Sequence, residues 1–348
     1  MFTQEKRFML LVTVITITAL FIAGATFALA ADTIIWKSSG HGPASDPSQI
    51  YHDKLCEAIT KASGGRLEIK AFVGGSVVPA TKELDGVSTG VLDMCYTCPM
   101  YNLDKWKAAG LISSRPGGLP GEALRTWFNY GGGAELMNKM IEGYDLITFP
   151  GALSPLPEEV FLHSKVAIRK VEDLKGLKMR CSGDGGEILN RMGASVVFLP
   201  GGELYEAMQR GTIDAFEYST LASNWEMHFN EIAEYVILSP SRAPSDPQCF
   251  FVNEQSWGKL PDDLKQLVQD EIDKWTQAQH EFLVYQSILA IDKFKDYGCE
   301  VYRLPQEVEL ALVEEAKKYY SDKAAKEDQI YRDILESMTN YWEAYSKK

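Results

Sequence analysis

Short apolar runs alternate with amphipathic stretches along the first two thirds of the chain. The first series begins with the strand-like run "TIIWKSS" at Thr33 and reaches "VLDMCYT" at Val91. A second series begins near Gly176 with "LKMRC" and ends with "IDAFEYS". Alternating strands and helices are typical of parallel sheets with crossover helices, so the pattern predicts two α/β units, joined by a stretch rich in Gly and Pro.

The helices predicted between these strands follow the spacing of the apolar residues. In the first unit we expect helices over 51–62 and about 80–89, on either side of the strand "LEIKAFV". In the second unit we expect helices over 187–191 and 202–209, with the strand "SVVFLP" between them.

The last hundred residues have a different pattern. The pattern predicts one helix over 259–298, long enough to brace both units. The signals are a start at Pro261, acidic residues in the first turn, helical spacing of the apolar residues and a stop at Gly298. After the short run "CEVYRL", the pattern from Glu307 to Ser346 is again helical. We therefore predict an α/β protein in five parts: residues 1–30, a first α/β domain over 31–154 completed by about 243–258, a second over 155–242, the long helix over 259–298, and a C-terminal strand and helical tail over 299–348.

The N-terminal segment has the features of a secretory signal peptide. Lys6 and Arg7 precede a long apolar run, and small residues at Ala28 and Ala30 favour cleavage before Ala31. The apolar run is also long enough to span a bilayer, so an uncleaved anchor is the alternative. Either interpretation predicts that the rest of the chain is exported, and cleavage predicts a periplasmic protein.

Charge excludes some classes of partner. The chain has 348 residues and a formal net charge of −13 at pH 7. Such acidity argues against nucleic acid or an anionic membrane surface as a partner, because both would be repelled. A small anionic ligand is not excluded, since a single buried cation reverses the local field.

The chain contains 6 cysteines, all after the N-terminal segment, and an exported compartment permits disulfides between them. Cys95 and Cys98 have the spacing of a thiol redox motif, "CYTC". This motif follows a strand run without the helix start that lowers a thiol pKa. Burial as small apolar residues, or one structural disulfide, is therefore the competing interpretation.

Candidate binding residues lie at the ends of two strands of the second unit. Arg180 ends one strand, and Glu217 with Tyr218 ends another. Ligands of open parallel sheets bind beyond the carboxyl ends of the strands, so we expect these side chains at one crevice. The arginine fork suits a carboxylate, and a surface arginine is the alternative. Three glycines after the arginine would let backbone approach a ligand: Gly183, Gly185 and Gly186.

Acidic residues supply a candidate cation site. Glu158 and Glu159 precede the strand that enters the second unit, and with Glu217 they could share a hard cation such as calcium. Solvated surface acids are the alternative. The five histidines have no zinc spacing, and neither a Gly-x-Ser-x-Gly elbow nor a phosphate-binding loop is present. Several aromatic residues are candidates for lining a cleft, although each has the alternative of a core position: Trp36, Tyr101, Trp127, Tyr130, Trp225 and Phe251.

Four segments carry a resemblance to a known family: "VEDLKGLKMR" with its glycine turn, "MGASVVFLPGGELYEAMQRGTIDAFEYS", "FFVNEQSWGKLPDDLKQLV" and "WFNYGGGAEL". Their order and spacing resemble the periplasmic solute-binding subunits of tripartite ATP-independent periplasmic (TRAP) transporters. The resemblance covers nearly the whole chain after the N-terminal segment. It implies a two-lobed fold like that of periplasmic binding proteins and a function in transport, without catalysis.

The resemblance also implies roles for individual residues. Arg180 corresponds to the arginine that clamps the carboxylate of an organic acid. In the branch that binds 2-oxo and 2-hydroxy monocarboxylates, Glu217 and the Tyr218 carbonyl would hold a cation, calcium or sodium. Two departures stand out: Glu159 replaces a glutamine, which favours a divalent ion, and Tyr218 replaces a tryptophan.

These observations predict a binding protein that closes over a small organic carboxylate and delivers it to membrane subunits of a TRAP transporter. The ligand would have an apolar or aromatic body if the aromatic candidates line the cleft. The resemblance also implies a homodimer held by the C-terminal helix. An exported thiol oxidoreductase that uses Cys95 and Cys98 is the alternative function.

Overall fold

The computed structural model of the protein describes residues 33–347. The signal peptide predicted over residues 1–30 lies outside this range. The strands are β1 (Ile34–Gly40), β2 (Leu67–Phe72), β3 (Met94–Thr97), β4 (Leu146–Ile147), β5 (Leu153–Leu156), β6 (Val160–Ser164), β7 (Lys178–Arg180), β8 (Ser195–Val197), β9 (Ala215–Tyr218), β10 (Tyr235–Leu238), β11 (Asp246–Asn253) and β12 (Glu300–Arg303).

The α-helices are interspersed among these strands as far as β11 and then dominate the C-terminal part. They are α1 (Pro47–Ala62), α2 (Glu83–Ser88), α3 (Ala109–Ile112), α4 (Gly121–Tyr130), α5 (Gly133–Met140), α6 (Gly183–Arg191), α7 (Leu204–Gln209), α8 (Leu221–Glu226), α9 (Glu254–Gly258), α10 (Asp262–Tyr297), α11 (Gln306–Ala324) and α12 (Gln329–Tyr345).

The strands form two sheets, and each sheet is the centre of one lobe. Sheet I, in lobe I, has the order β2-β1-β3-β11-β4, and β5 also pairs with β11. Sheet II, in lobe II, has the order β12-β10-β6-β9-β7-β8. The predicted parallel series are present, because β1 is parallel to β2 and β3, and β7 is parallel to β8 and β9.

Each sheet also contains antiparallel pairs, which the alternation of strands and helices does not reveal. Strand β11 is antiparallel to β3, and β6 is antiparallel to both β9 and β10. These two strands follow directly after the chain has crossed from the other lobe. Each of these strands enters its sheet from the lobe junction. The neighbouring strands end at that junction, so the entering strand is antiparallel to them.

Two connections between the lobes run side by side at the junction. Residues 157–159 join β5 to β6, and residues 239–245 join β10 to β11. The backbone N–H of Glu159 donates to the carbonyl of Ala243 over 3.1 Å, which ties one connection to the other. Side chains on these connections are therefore held between the two lobes.

The long helix predicted near 259–298 is confirmed as α10. It packs against α1 and β5 of lobe I and against α8 and β12 of lobe II, so it braces both lobes. Its buried positions recur with helical spacing at Leu264, Val268 and Ile272, as expected for a helix with one apolar face. Gly298 ends the helix in the left-handed conformation that favours glycine.

The C-terminal tail forms two helices rather than the single helical stretch predicted from Glu307 to Ser346. The chain leaves α11 after Ala324, and the Asp328 side chain accepts a hydrogen bond from the Tyr331 N–H to begin α12. An aspartate that caps a helix start favours a break at that point. Helix α12 packs on α4 and α5 of its own lobe I, where Tyr331 and Met338 are buried.

Candidate functional site

Arg180 and Glu217 meet at the end of sheet II. Strand β7 lies beside β9 in parallel register, with Arg180 opposite Phe216, so the two strand ends reach the same edge. The Arg180 Nη1 donates to Glu217 Oε1 and to the Glu217 carbonyl, both over 2.8 Å, and its Nε donates to the Leu199 carbonyl over 2.9 Å. The side chain is only 2% exposed. Arg180 is therefore not a surface arginine.

The Glu217 carboxylate is the acceptor at the centre of this arrangement. Its Oε1 also accepts hydrogen bonds from the backbone N–H and the hydroxyl of Ser182, at the start of α6. Burial by itself would raise the pKa of Glu217, but the Arg180 guanidinium and the other donors hold that pKa far below its usual range. Its second oxygen, Oε2, is buried and has no hydrogen-bond partner among residues 33–347.

A second buried arginine, Arg242, completes the cluster, and the sequence analysis did not identify it. Its Nη1 donates to the Ser114 carbonyl over 3.1 Å and to Glu159 Oε2 over 3.3 Å. Its Nη2 donates to Cys181 Sγ over 3.2 Å and lies 3.6 Å from Glu217 Oε1. No local signal identified it, because the segment "SRAPSD" has no periodic pattern that would show a buried position.

Of the two adjacent acids in the other connection, Glu159 faces the cluster and Glu158 is exposed to solvent. Burial, together with the Glu217 charge, raises the pKa of Glu159 well above its usual range, although the Arg242 guanidinium opposes this effect. A carboxyl with a raised pKa holds its proton more readily. The cluster therefore combines two permanent cations, one firmly ionised carboxylate and one carboxyl that readily becomes neutral.

The glycines after Arg180 lie in the first turn of α6 and make room for Arg242. A Cβ at Gly185 would lie 2.8 Å from the Arg242 Cζ, so any side chain there would displace the guanidinium. Gly201 has the corresponding role on the other side of the site, because a Cβ there would lie 2.5 Å from the Tyr218 ring. We expected the turn glycines to admit a ligand, whereas at Gly185 the space is filled by a side chain of the protein.

Tyr218 connects the two lobes across the site. Its hydroxyl donates to Asp46 Oδ2 over 2.7 Å, and Asp46 caps α1 in lobe I by accepting from the Ser48 N–H. Nearby, the ring of Tyr101 from lobe I lies 5.9 Å from that of Phe198 from lobe II. These contacts hold the two lobes close together over the site.

A small cavity lies between these contacts. Four residues that the sequence predicted for the site line this cavity: Arg180, Tyr218, Tyr101 and Glu159. Glu217 does not line it and lies behind Arg180 and Ser182. Lobe I adds polar groups that the sequence analysis missed, including His41, Asp46, Asp246 and Gln248. A small polar cavity with the buried Arg180 guanidinium in its wall suits a small anion.

Three of the aromatic candidates lie in the core of lobe I and not at this cavity. Trp36, Trp127 and Phe251 are at most 2% exposed and pack within the hydrophobic core around sheet I. The Trp127 indole N–H donates to Ser337 Oγ of α12, so this ring fastens the C-terminal tail. Large apolar rings pack in a core for the same reason that they line clefts, and sequence alone does not separate the two positions.

Two further aromatic candidates also lie elsewhere. Trp225 lines a different groove of about 800 Å³ between α1, α8 and α10, which shares no lining residue with the central cavity. Tyr130 is 88% exposed at the end of α4. We place the functional site at the smaller cavity because buried charges converge there, whereas the charged residues that line the larger groove are exposed or half-buried: Lys54, Glu226 and Lys293.

Residues 39–327 match the bacterial extracellular solute-binding proteins of family 7. The chain belongs to this family. A monocarboxylate 2-oxoacid-binding periplasmic protein of Nostoc sp. is 26% identical to the family 7 protein described here over 320 residues, which cover 90% of this chain and 84% of the relative.

Two solved structures of TRAP periplasmic solute-binding proteins are similar to this family 7 protein throughout. The protein from Colwellia psychrerythraea, with bound calcium and pyruvate, has a TM-score of 0.85 and 28% identity, and the match covers 91% of this chain and 96% of that one. The protein from Pseudoalteromonas atlantica, with bound sodium and pyruvate, has a TM-score of 0.84, 27% identity and the same coverage. The predicted TRAP-type solute-binding protein and its two-lobed α/β fold are confirmed.

The comparisons give no support to a thiol oxidoreductase. The geometry of the family 7 protein also opposes that alternative, because burial raises the pKa of both Cys95 and Cys98 well above the usual range. Both thiols are buried and free of disulfide bonds. A redox enzyme needs an accessible thiol with a lowered pKa.

We expect Cys95 and Cys98 to resist thiol reagents in the native family 7 protein, because burial excludes the reagent and suppresses the thiolate. Titration with a chromogenic disulfide reagent, followed by mass spectrometry of the labelled peptides, measures this directly. Unfolding in urea is the control and should release both thiols. Labelling of either residue in the native protein, at the rate of a free thiol, would contradict the assignment.

The family is extracytoplasmic, in agreement with the predicted export of this chain. Within residues 33–347, no helix combines the length and the apolar character that a bilayer crossing requires.

Proposed function

We propose that this protein captures a small 2-oxo or 2-hydroxy monocarboxylate in the central cavity and delivers it to the membrane subunits of a TRAP transporter, without catalysing a reaction. The observation that carries the proposal is the buried Arg180 guanidinium on the wall of a small cavity between two lobes. The relatives with bound pyruvate support the choice of ligand class.

The donors of Arg180 determine how a carboxylate would bind. Its Nε and Nη1 are taken by Leu199 and Glu217, so the remaining terminal nitrogen, Nη2, has donors available toward the cavity. The internal acceptors hold the guanidinium plane in one orientation before the ligand arrives. Such preorganisation lowers the entropic cost of binding.

We further propose that a cation, with calcium preferred over sodium, joins the ligand to Glu159, Glu217 and the Tyr218 carbonyl. The unpartnered Glu217 Oε2 and the neighbouring Glu159 carboxyl are oxygen donors of the type that hard cations take. The Tyr218 carbonyl accepts a hydrogen bond from Asn224 Nδ2, and a carbonyl oxygen has two lone pairs. Among the described residues no group of three or more His, Cys, Asp or Glu side chains forms a metal site, so ligand oxygens would complete the set.

Charge balance supports the cation. With Glu159, Glu217 and the cavity-lining Asp46 and Asp246 all ionised, four negative charges face the two arginines, and a bound monocarboxylate adds to the uncompensated negative charge of a buried site. A cation offsets that charge and allows Glu159 to remain ionised. A proton on Glu159 is the competing source of compensation, since burial already raises the pKa of this carboxyl.

Removing metal should therefore weaken pyruvate binding at neutral pH about tenfold or more, or about 1.4 kcal/mol. Titration calorimetry with chelator-treated protein, and again after calcium is restored, measures the difference. The same pair of titrations on Glu159→Gln is the matched control and should show a smaller calcium effect. Equal affinities with and without calcium in the unaltered protein would contradict the cation and favour the proton on Glu159.

A homodimer through the C-terminal helix remains a prediction. Helix α12 buries Tyr331, Ile334 and Met338 against its own chain, which leaves the exposed Trp342 as the main apolar group near its end. Sedimentation velocity of the purified protein would show whether two copies associate.

A further inference from the structure

A second, larger cavity adjoins the central cavity on the side of Phe198. It is partly open to solvent, and we call it the outer chamber. Its apolar wall consists of Leu103 from lobe I and Val196, Val197 and Phe198 from lobe II.

Only a thin wall separates the outer chamber from the central cavity. Met100, Tyr101 and Ser182 line both spaces, so each of these side chains has one face in either cavity. Met100 is an unbranched, adaptable side chain that can move aside at low energetic cost. The Arg180 Cζ lies 5.3 Å from the centre of the Phe198 ring, so the charged clamp and the apolar wall are neighbours.

The apolar wall is unusually exposed for its position. Val197 and Phe198 are 47% and 46% exposed at the end of β8, which is the edge strand of sheet II. Both residues lie at the mouth of the cleft between the lobes, because the opposite wall of the chamber belongs to lobe I. Exposed apolar groups that continue a ligand cavity point to an apolar part of the ligand.

We infer that the outer chamber receives the aliphatic tail of the ligand, so that the preferred ligands are 2-oxo or 2-hydroxy monocarboxylates with a chain longer than that of pyruvate. The inference rests on the proposed function, since the carboxylate must first be held at Arg180. The head of the ligand occupies the small polar cavity, and the tail passes beside Met100 into the chamber.

The rim of the chamber adds a second element of specificity. Glu187 and Asn190, both exposed on α6, contribute its polar edge. A second carboxylate at the end of a ligand tail would approach the Glu187 charge in partly solvated surroundings. Dicarboxylates should therefore bind less tightly than monocarboxylates of the same length.

The test is a calorimetric series of straight-chain 2-oxo acids: pyruvate, 2-oxobutyrate, 2-oxohexanoate and 2-oxooctanoate, all at one calcium concentration. Full burial of a methylene strengthens binding about fourfold, and a half-open chamber should give about twofold to threefold per methylene. We expect 2-oxooctanoate to bind at least about thirtyfold more tightly than pyruvate on this basis. We also expect 2-oxoglutarate to bind more weakly than a straight-chain 2-oxo monocarboxylate with a main chain of the same length.

A variant pair assigns the effect to the chamber. Val197→Ser should reduce the ratio of the 2-oxooctanoate affinity to the pyruvate affinity about fivefold, because the tail loses an apolar wall. Val166→Ser removes a similarly exposed valine that lines none of these cavities, and the ratio should not change. A series without rising affinity, or equal ratios in the two variants, would overturn the inference while pyruvate binding still supports the proposed function. If no acid in the series binds, the proposed function fails and this inference fails with it.

Discussion

Replacing Arg242 with methionine should lower the free energy of unfolding by about 3–5 kcal/mol, because the substitution leaves buried carboxyls without their cation. Arg242 is fully buried and interacts with Glu159 from one lobe connection and Glu217 from sheet II. The loss should be smaller at pH 5 than at pH 8, since Glu159 can then take up a proton and become neutral. Urea unfolding followed by tryptophan fluorescence at the two pH values measures the effect.

The controls for this experiment separate a buried ion pair from the loss of any arginine. Arg210→Met removes an arginine whose side chain is 73% exposed and pairs with Glu206 on the surface, and it should cost less than about 1 kcal/mol. Adding Glu159→Gln to Arg242→Met should restore part of the stability, because the uncompensated carboxyl is gone. Equal losses in Arg242→Met and Arg210→Met would show that Arg242 does not hold the cluster together.

Replacing Arg180 with lysine should weaken pyruvate binding by about 2 kcal/mol or more, which corresponds to a loss of roughly thirtyfold in affinity. Lysine keeps the positive charge but not the planar fork. Arg180 donates to Leu199 and Glu217 and still has donors on Nη2 for the ligand, whereas an ammonium cannot reproduce these directions together. Titration calorimetry of the variant with pyruvate, with calcium present, measures the loss.

A structural effect of Arg180→Lys must be distinguished from a loss of ligand contact. Urea unfolding without ligand should show that the variant remains folded, with a stability loss smaller than that of Arg242→Met. Arg191→Lys, a conservative change at an arginine that is 38% exposed on α6, should leave pyruvate affinity unaltered. If Arg180→Lys binds pyruvate as tightly as the original protein, Arg180 is not part of the carboxylate site.

Both experiments concern the same feature, which is that the site is built at the junction of the lobes. Glu159 and Arg242 lie on the two connections, and Arg180 with Glu217 ends two strands of lobe II. Tyr218 reaches Asp46 of lobe I through its hydroxyl. Opening the cleft would therefore break contacts of site residues directly, so ligand binding and lobe closure are expected to be coupled.

Several features could be predicted from local patterns in the sequence. Alternating apolar runs identified the parallel strands and the long helix, since the periods of 2 and 3.6 residues depend only on which face of an element is buried. Ligands of parallel sheets bind beyond the carboxyl ends of the strands, and neighbouring parallel strands end at the same edge. This rule predicted that Arg180, Glu217 and Tyr218 lie at one edge of the sheet. The resemblance of several segments to TRAP solute-binding subunits supported the carboxylate ligand and the two lobes.

Other features depended on the tertiary structure. The antiparallel strands β6 and β11 follow from the path of the chain between lobes, which local periodicity does not record. Arg242 lies in a connection without periodic pattern, and only the contact of two connections brings it to Glu159.

Trp127 shows, for a single residue, the difference between what local sequence indicates and what tertiary structure decides. Its sequence position is compatible with either a core or a cleft, and the packing of α12 on α4, which places Ser337 beside the indole, makes it a core residue. The amino-acid sequence by itself determined the local elements and the chemistry available at the strand ends. Tertiary structure decided which buried charges meet, because interactions between residues far apart in sequence depend on the path of the whole chain.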